Sequence, residues 1–174
     1  MKTVDALIAA RDFFVATPGR WTRASLASHH NNRGDTCFCA LGGISLVTGC
    51  LTPDGARANK VGVGVTSGPV SANVGRGIYT NEYTPIEELS KRELAAFQAA
   101  GVHLLAARGA VKYANAASKV VFGEPSIMEA NDDTLRGGGY NTVIKILNLA
   151  IKNAKRRHIN GDRKKASTVQ AVAQ

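Results

Sequence analysis

Three cysteines (Cys37, Cys39 and Cys50) and four histidines (His29, His30, His103 and His158) are the side chains best suited to covalent or metal chemistry in this chain. Cys37 and Cys39 open an apolar, small-residue segment, TCFCALGGISLVTGC, over residues 36–50. A short buried helix beginning near Cys37, with Asp35 or Thr36 as its N-cap, is expected there. A thiol at the start of a helix has its thiolate stabilised by the amides and dipole, which makes Cys39, or Cys37, a candidate nucleophile. The base would come from one of the four histidines and the orienting group from Asn131 or Asp132. The set Cys39, His103 and Asn131 is a permitted triad, because geometry and not chain order defines such triads. Against it, cysteines among Ala, Gly and Leu behave as small buried hydrophobes. His103, between Val102 and Leu104, has the setting of a core-edge residue. The balance falls on the non-catalytic side.

A metal site has less support. His29, His30, Cys37 and Cys39 put four zinc-capable side chains within eleven residues. Cys-x-Cys is tighter than the usual zinc spacing, and adjacent histidines rarely reach one tetrahedral ion together. No metal and no cofactor is expected. Asn131-Asp132-Asp133 could bind a cation, but Asn and Asp also close turns with their own backbone groups, and that reading is preferred. Gly62-Val63-Gly64 resembles a phosphate-binding turn only in part: the preceding strand is missing and the third glycine is misplaced.

The elements that must position these groups are mostly helical. Val4, Leu7, Ile8, Phe14 and Val15 share a face at helical spacing, and Thr17-Pro18-Gly19 stops that helix. HHNNRGD, residues 29–35, reads as a surface loop. Residues 52–83 alternate valine with glycine and serine, which suits a loop or a short irregular hairpin. Thr84-Pro85-Ile86-Glu87 has the form of a capping box with proline at the first helical position, and Leu89, Leu94 and Phe97 follow to a pause near Gly101. A further helix carries Val102, Leu105, Val111, Tyr113 and Val120 as far as Gly123-Glu124-Pro125. After a loop at Asn131-Asp132-Asp133 and the run Gly137-Gly138-Gly139, a last helix starts near Asn141 or Thr142. Its Val143, Leu147, Ala150 and Ile151 fall at i, i+4, i+7 and i+8, the spacing of a buried face. The fold class expected is a mainly α single domain.

Three fragments in order, PGRWTRASLA at 18–27, CALGGI at 39–44, and Asn-Asp followed by VIKILNLAI at 143–151, carry a resemblance. Together they are similar to an uncharacterised domain family found in actinobacteria and their phages. Its members carry a Trp-Thr after an initial helix, a Trp-Cys-x-x-Gly-Ala segment and an Asn-Asp loop leading into a final helix. The resemblance spans about two thirds of the chain and implies a small standalone domain, often phage-encoded, with no activity attached. Phe38 stands where the family has tryptophan, and residues 52–83 look like an insertion. Where the family tends to read Thr-His-x-x-Val, this chain has Gly139 and Tyr140, so a histidine at that place is absent. The shared residues Trp21, Cys39, Gly42, Asn131 and Asp132 are expected to form a structural signature, with Asp132 reaching back to Trp21 or to the amides near Cys39.

Composition sets the remaining bounds. The 174 residues, 44% of them hydrophobic, suffice for one core, and no apolar run has the length of a membrane span. The N-terminal segment, with Asp5, Arg11 and Asp12, lacks the form of a signal peptide. Lys+Arg is 22 against 13 Asp+Glu, and the excess is uneven. Lys152, Lys155, Arg156, Arg157, Arg163, Lys164 and Lys165 are opposed by Asp162 alone between 152 and 165. The expected organisation is a helical domain at 1–151, with 52–83 inserted, and a basic C-terminal tail at 152–174. The expected role is non-catalytic attachment to an acidic macromolecular surface, protein or nucleic acid, in a bacterial cytoplasm or a virion. The alternatives are a cysteine-dependent hydrolase or transferase centred on Cys39, and sequence-independent nucleic-acid binding.

Overall fold

A computed structural model describes residues 1–23, 26–28, 31, 33–54, 61–63, 78–80 and 89–172, with side chains given for all of these but 61–63, 78–80 and 158–172. Six α-helices lie among the described residues, and the fold is mainly helical. α1 spans Thr3–Ala16 and gives way to a 3-10 turn at Pro18–Arg20. Two short strands follow, β1 at Ala27–Ser28 and β2 at Cys37–Phe38, paired antiparallel with Ala27 opposite Phe38. α2 is Ala40–Val47. The excursion at 52–83 contains β3 at Val61–Val63 and β4 at Ile78–Thr80, antiparallel to each other, so a hairpin pairing is present within it. α3 is Lys91–Ala99, α4 Leu104–Val121, α5 Ile127–Asp132 and α6 Tyr140–Val172.

The core forms where α6 lies against α1 and α4, with α2 and α5 closing the sides. Val143, Leu147, Ala150 and Ile151 of α6 are buried as their spacing predicts, joined by Ile146. They meet Leu7, Ala10 and Phe14 of α1 and an alanine-rich face of α4 comprising Ala107, Ala110, Ala114 and Ala117. Small side chains on α4 let two larger apolar faces approach it closely, which is how a helix with few bulky residues packs at interior density.

Several boundaries differ from the sequence expectation. The helix expected from Cys37 starts instead at Ala40 with Cys39 as its N-cap, because Cys37 and Phe38 are drawn into extended pairing with β1. The Thr22 amide donates to the Phe38 carbonyl at 3.0 Å, part of a separate parallel bridge between Trp21 and Phe38. Asn131 and Asp132 are not a loop; they form the last turn of α5, which starts on a Ser126 cap. The Thr84–Glu87 capping box lies outside the described residues, and the helix carrying Leu94 and Phe97 begins at Lys91 on a reciprocal Ser90–Glu93 box. The basic segment from Lys152 continues α6 without a break to Val172.

Candidate functional site

Asn131 is fully buried and is the point where the three sequence motifs meet. Its Oδ1 accepts from the Trp21 indole N–H at 2.8 Å and from the Ala40 backbone N–H at 3.0 Å. Its Nδ2 donates to the Thr22 carbonyl at 3.1 Å and to Asp132 Oδ1 at 2.6 Å. One amide thus ties the segment after the 3-10 turn, the first turn of α2 and the end of α5 into a single knot. Ala40 is the first residue of α2, so its N–H is one of the orphan donors of a helix start, and Asn131 satisfies it from a distance of 91 residues. The reach to Trp21 therefore belongs to Asn131 and not to Asp132. Asp132 braces the amide from behind.

Neighbouring elements hold Asn131 at this place. Asn115 on α4 accepts the Ile127 N–H at 3.0 Å, and the Ser118 hydroxyl donates to the Ser126 carbonyl at 3.0 Å, so α4 aims the short α5. Past α5, the Gly139 N–H donates to the Ala130 carbonyl at 2.7 Å. Gly137 and Gly139 have φ of +80° and +117°, left-handed conformations that favour glycine at both ends of the run. Tyr140, in the register where the resemblance places a histidine, stands edge-on to Trp21 at 6.1 Å and donates its hydroxyl to the Phe14 carbonyl at 3.0 Å. Gly42 is required by packing: a Cβ there would collide with the Leu26 carbonyl oxygen.

Cys39 is buried and committed to a backbone contact. Cys39 Sγ accepts from the Gly42 N–H at 3.4 Å and acts as the helix cap. Burial pushes its thiol up from 9.0 to about 11; the Gly42 and Leu41 amides pull the other way without offsetting that, and the Asp132 carboxylate adds to the rise. A nucleophilic thiol needs the opposite displacement. His103 caps α4, and its backbone N–H donates to the Thr48 carbonyl at the far end of α2 at 2.8 Å. The eight residues of α2 rise about 12 Å, which keeps His103 away from Cys39. Asn131 is near Cys39, but its amide is committed as described. The set Cys39, His103 and Asn131 is therefore not assembled.

Cys37 and Cys39 do not converge on a common point. Cys37 Sγ lies 3.6 Å from the Gly19 carbonyl and Cys39 Sγ at the α2 cap. All three thiols are free and buried. His29 and His30 lie outside the described residues, and among the described residues no three His, Cys, Asp or Glu side chains cluster as a metal site. Among the described residues, every buried side-chain nitrogen and oxygen has a hydrogen-bond partner.

A second candidate surface is the outer face of α6. Between Tyr140 and Arg157 its exposed side chains are Asn141, Lys145, Asn148, Lys152, Lys155, Arg156 and Arg157. Each is asparagine or basic. No acidic residue occurs from Tyr140 to Gly161. The last buried residue described on the helix is Ala154, and the helix continues another 18 residues to Val172, about 27 Å of rise. Of the seven basic residues singled out by sequence, Lys152, Lys155, Arg156 and Arg157 are exposed on this helix, while the side chains of Arg163, Lys164 and Lys165 are outside the described set. Lys145 was missed by reading charge as a terminal run. Its spacing of seven from Lys152, with no acid between, is the signal that places it on the same face.

Comparison with known proteins adds no relative: no family model matches the chain, and neither the curated proteins nor the solved structures contain a match.

Proposed function

We propose that this chain is a small non-catalytic accessory protein that attaches to an acidic macromolecular surface through the exposed basic side of α6. The carrying observation is that every exposed side chain described on that helix from Asn141 onward is asparagine or basic. Ordinary exposed helices offset Lys and Arg with Glu or Asp one turn away, which stabilises the helix; here that compensation is missing until Asp162. Such uncompensated charge accelerates encounter with, and holds, an acidic partner. The motif resemblance supports a bacterial or phage setting, with the protein in the host cytoplasm or in a virion. No single helix among the described residues is long and apolar enough to cross a membrane.

The test is retention of the full chain on immobilised polyglutamate and on immobilised duplex DNA, beside a variant with Lys152, Lys155, Arg156, Arg157, Arg163, Lys164 and Lys165 all changed to Gln. Salt-sensitive retention on at least one matrix, lost in the variant, is expected. Co-elution of both forms from both matrices overturns the reading.

A further inference from the structure

Resting on that reading, we infer that the partner is the phosphate backbone of a nucleic-acid duplex, bound without sequence preference along one stripe of α6 that begins at Lys145. At 100° per residue, Lys145, Lys152 and Arg156 fall within about 40° of one another around the helix. Asn141 and Asn148 border them on the same side. Arg163 continues the seven- and four-residue spacing in the sequence. The stripe lies opposite Val143, Leu147, Ala150 and Ala154, the buried face, so folding itself points it outward.

Its chemistry selects among acidic partners. A protein interface is anchored by aromatic and apolar side chains at its centre, with Lys depleted there. The exposed side chains from Asn141 to Arg157 contain neither an aromatic nor an aliphatic residue. A lipid surface would need a broad unburied apolar face beside the charges; on this stretch of α6 Val143, Ile146, Leu147 and Ile151 are buried, and Ile144 and Leu149 are half-buried against the core. Single strands are held largely by stacking on aromatic side chains, which this stripe lacks. A duplex requires none of these. It presents one negative charge per ~1.7 Å of axis, so a row of cations about 17 Å long, from Lys145 to Arg156, meets phosphate in any register. Asparagine amides are suitable additional donors to phosphate and sugar oxygens. Such contacts position a protein on a duplex and carry no base information, so affinity without sequence preference follows.

The experiment titrates the full chain into a fluorescein-labelled DNA duplex of about 24 base pairs and arbitrary sequence, followed by anisotropy between about 50 and 300 mM salt. Unlabelled duplex, its single strand and polyglutamate of equal charge serve as competitors. The parallel protein is K145Q/K152Q/R156Q, whose three positions are solvent-exposed and whose fold is checked by circular dichroism and melting. The duplex is expected to compete at least about tenfold better than polyglutamate, and the triple variant to flatten the log K against log salt slope by about 3. Equal or better competition by polyglutamate overturns the duplex assignment while leaving attachment to an acidic surface standing. Better competition by the single strand overturns it also. A folded triple variant that binds the duplex like the parent overturns the stripe. Failure to bind any of the polyanions removes both readings together.

Discussion

The Asn131 knot and the outer face of α6 treat their polar groups in opposite ways. In the knot, a tryptophan N–H, a helix-start N–H, a carbonyl and a carboxylate are all satisfied by one buried amide. Along α6, Lys145, Lys152, Lys155, Arg156 and Arg157 face water with no acidic residue on their stretch of helix. The residue types usually associated with chemistry, Cys39, Asn131 and Trp21, are consumed in holding the fold. The least specialised side chains, lysine and arginine, are left available. Internal satisfaction marks structure, whereas the exposed positive charge of α6 has no acidic residue on its own stretch of helix to offset it.

The sharpest way to break this contrast is Asn131→Ala. It strands the buried Ala40 N–H and removes the partner of the half-buried Trp21 N–H and Thr22 carbonyl. Each unpartnered buried group costs on the order of 1–3 kcal/mol, so the variant should lose about 3–5 kcal/mol and roughly 10 °C in Tm. Calorimetry giving a loss under about 1 kcal/mol would show that the knot is not the fold's clamp. Gly42→Ala follows in size. Its Cβ meets backbone, not a side chain that can swing away, so a penalty of roughly 2–3 kcal/mol is expected in denaturant unfolding. An unchanged midpoint would mean that α2 shifts freely off Leu26.

The buried thiols give a smaller, pH-dependent effect. Cys39 and Cys50 are both raised from 9.0 to about 11, chiefly by burial. The folded state therefore keeps protons that the unfolded chain releases. Stability should be intact below pH 9 and fall as pH rises toward 11, by about 1 kcal/mol per thiol near pH 9.5. Cys39→Ser should remove its share of that alkaline decline while keeping a capping oxygen at the start of α2. An undiminished decline in this variant contradicts the assignment. In the native protein at neutral pH, iodoacetamide should label Cys39 only as fast as the chain unfolds. Rapid labelling would reopen the cysteine-hydrolase alternative. Smallest of all is the effect of Lys152→Gln with Arg156→Gln on stability. Removing this like-charged i, i+4 pair should leave Tm unchanged or raise stability by a few tenths of a kcal/mol. A large loss would mean that these charges serve the fold, as Asn131 does, and the comparison would collapse.

Legibility differed between the same two regions. The buried face of α6 was readable because its period is local: four apolar residues at helical spacing have one side to bury. The basic excess from Lys152 was equally visible as a count. Its continuity with the helix was not, because tail and helix have the same composition and only the unbroken turn from Tyr140 onward puts Lys145 on the face of Lys152 and Arg156. At the knot the sequence pointed to the right neighbourhood and the wrong residue. Asn131 and Asp132 both read as turn formers, and nothing local distinguishes the one facing Trp21 from the one behind it. That choice is made by the orientation of α5, which Asn115 and Ser118 of α4 impose. The α2 boundary slipped for a related reason: pairing with Ala27 and Ser28 of β1 holds Cys37 and Phe38 extended, so the cap falls on Cys39.

By itself, the sequence determined the helical class, the apolar face of α6 and the excess of positive charge, because each depends on residues within a few turns of one another. Tertiary structure alone decided that Cys39 is a buried cap, that His103 sits at the other end of α2 and that Asn131 closes the knot. Those outcomes rest on hydrogen bonds and desolvation between segments as far as 110 residues apart, where burial sets the cost of every unpaired group and local spacing carries no record of the partner.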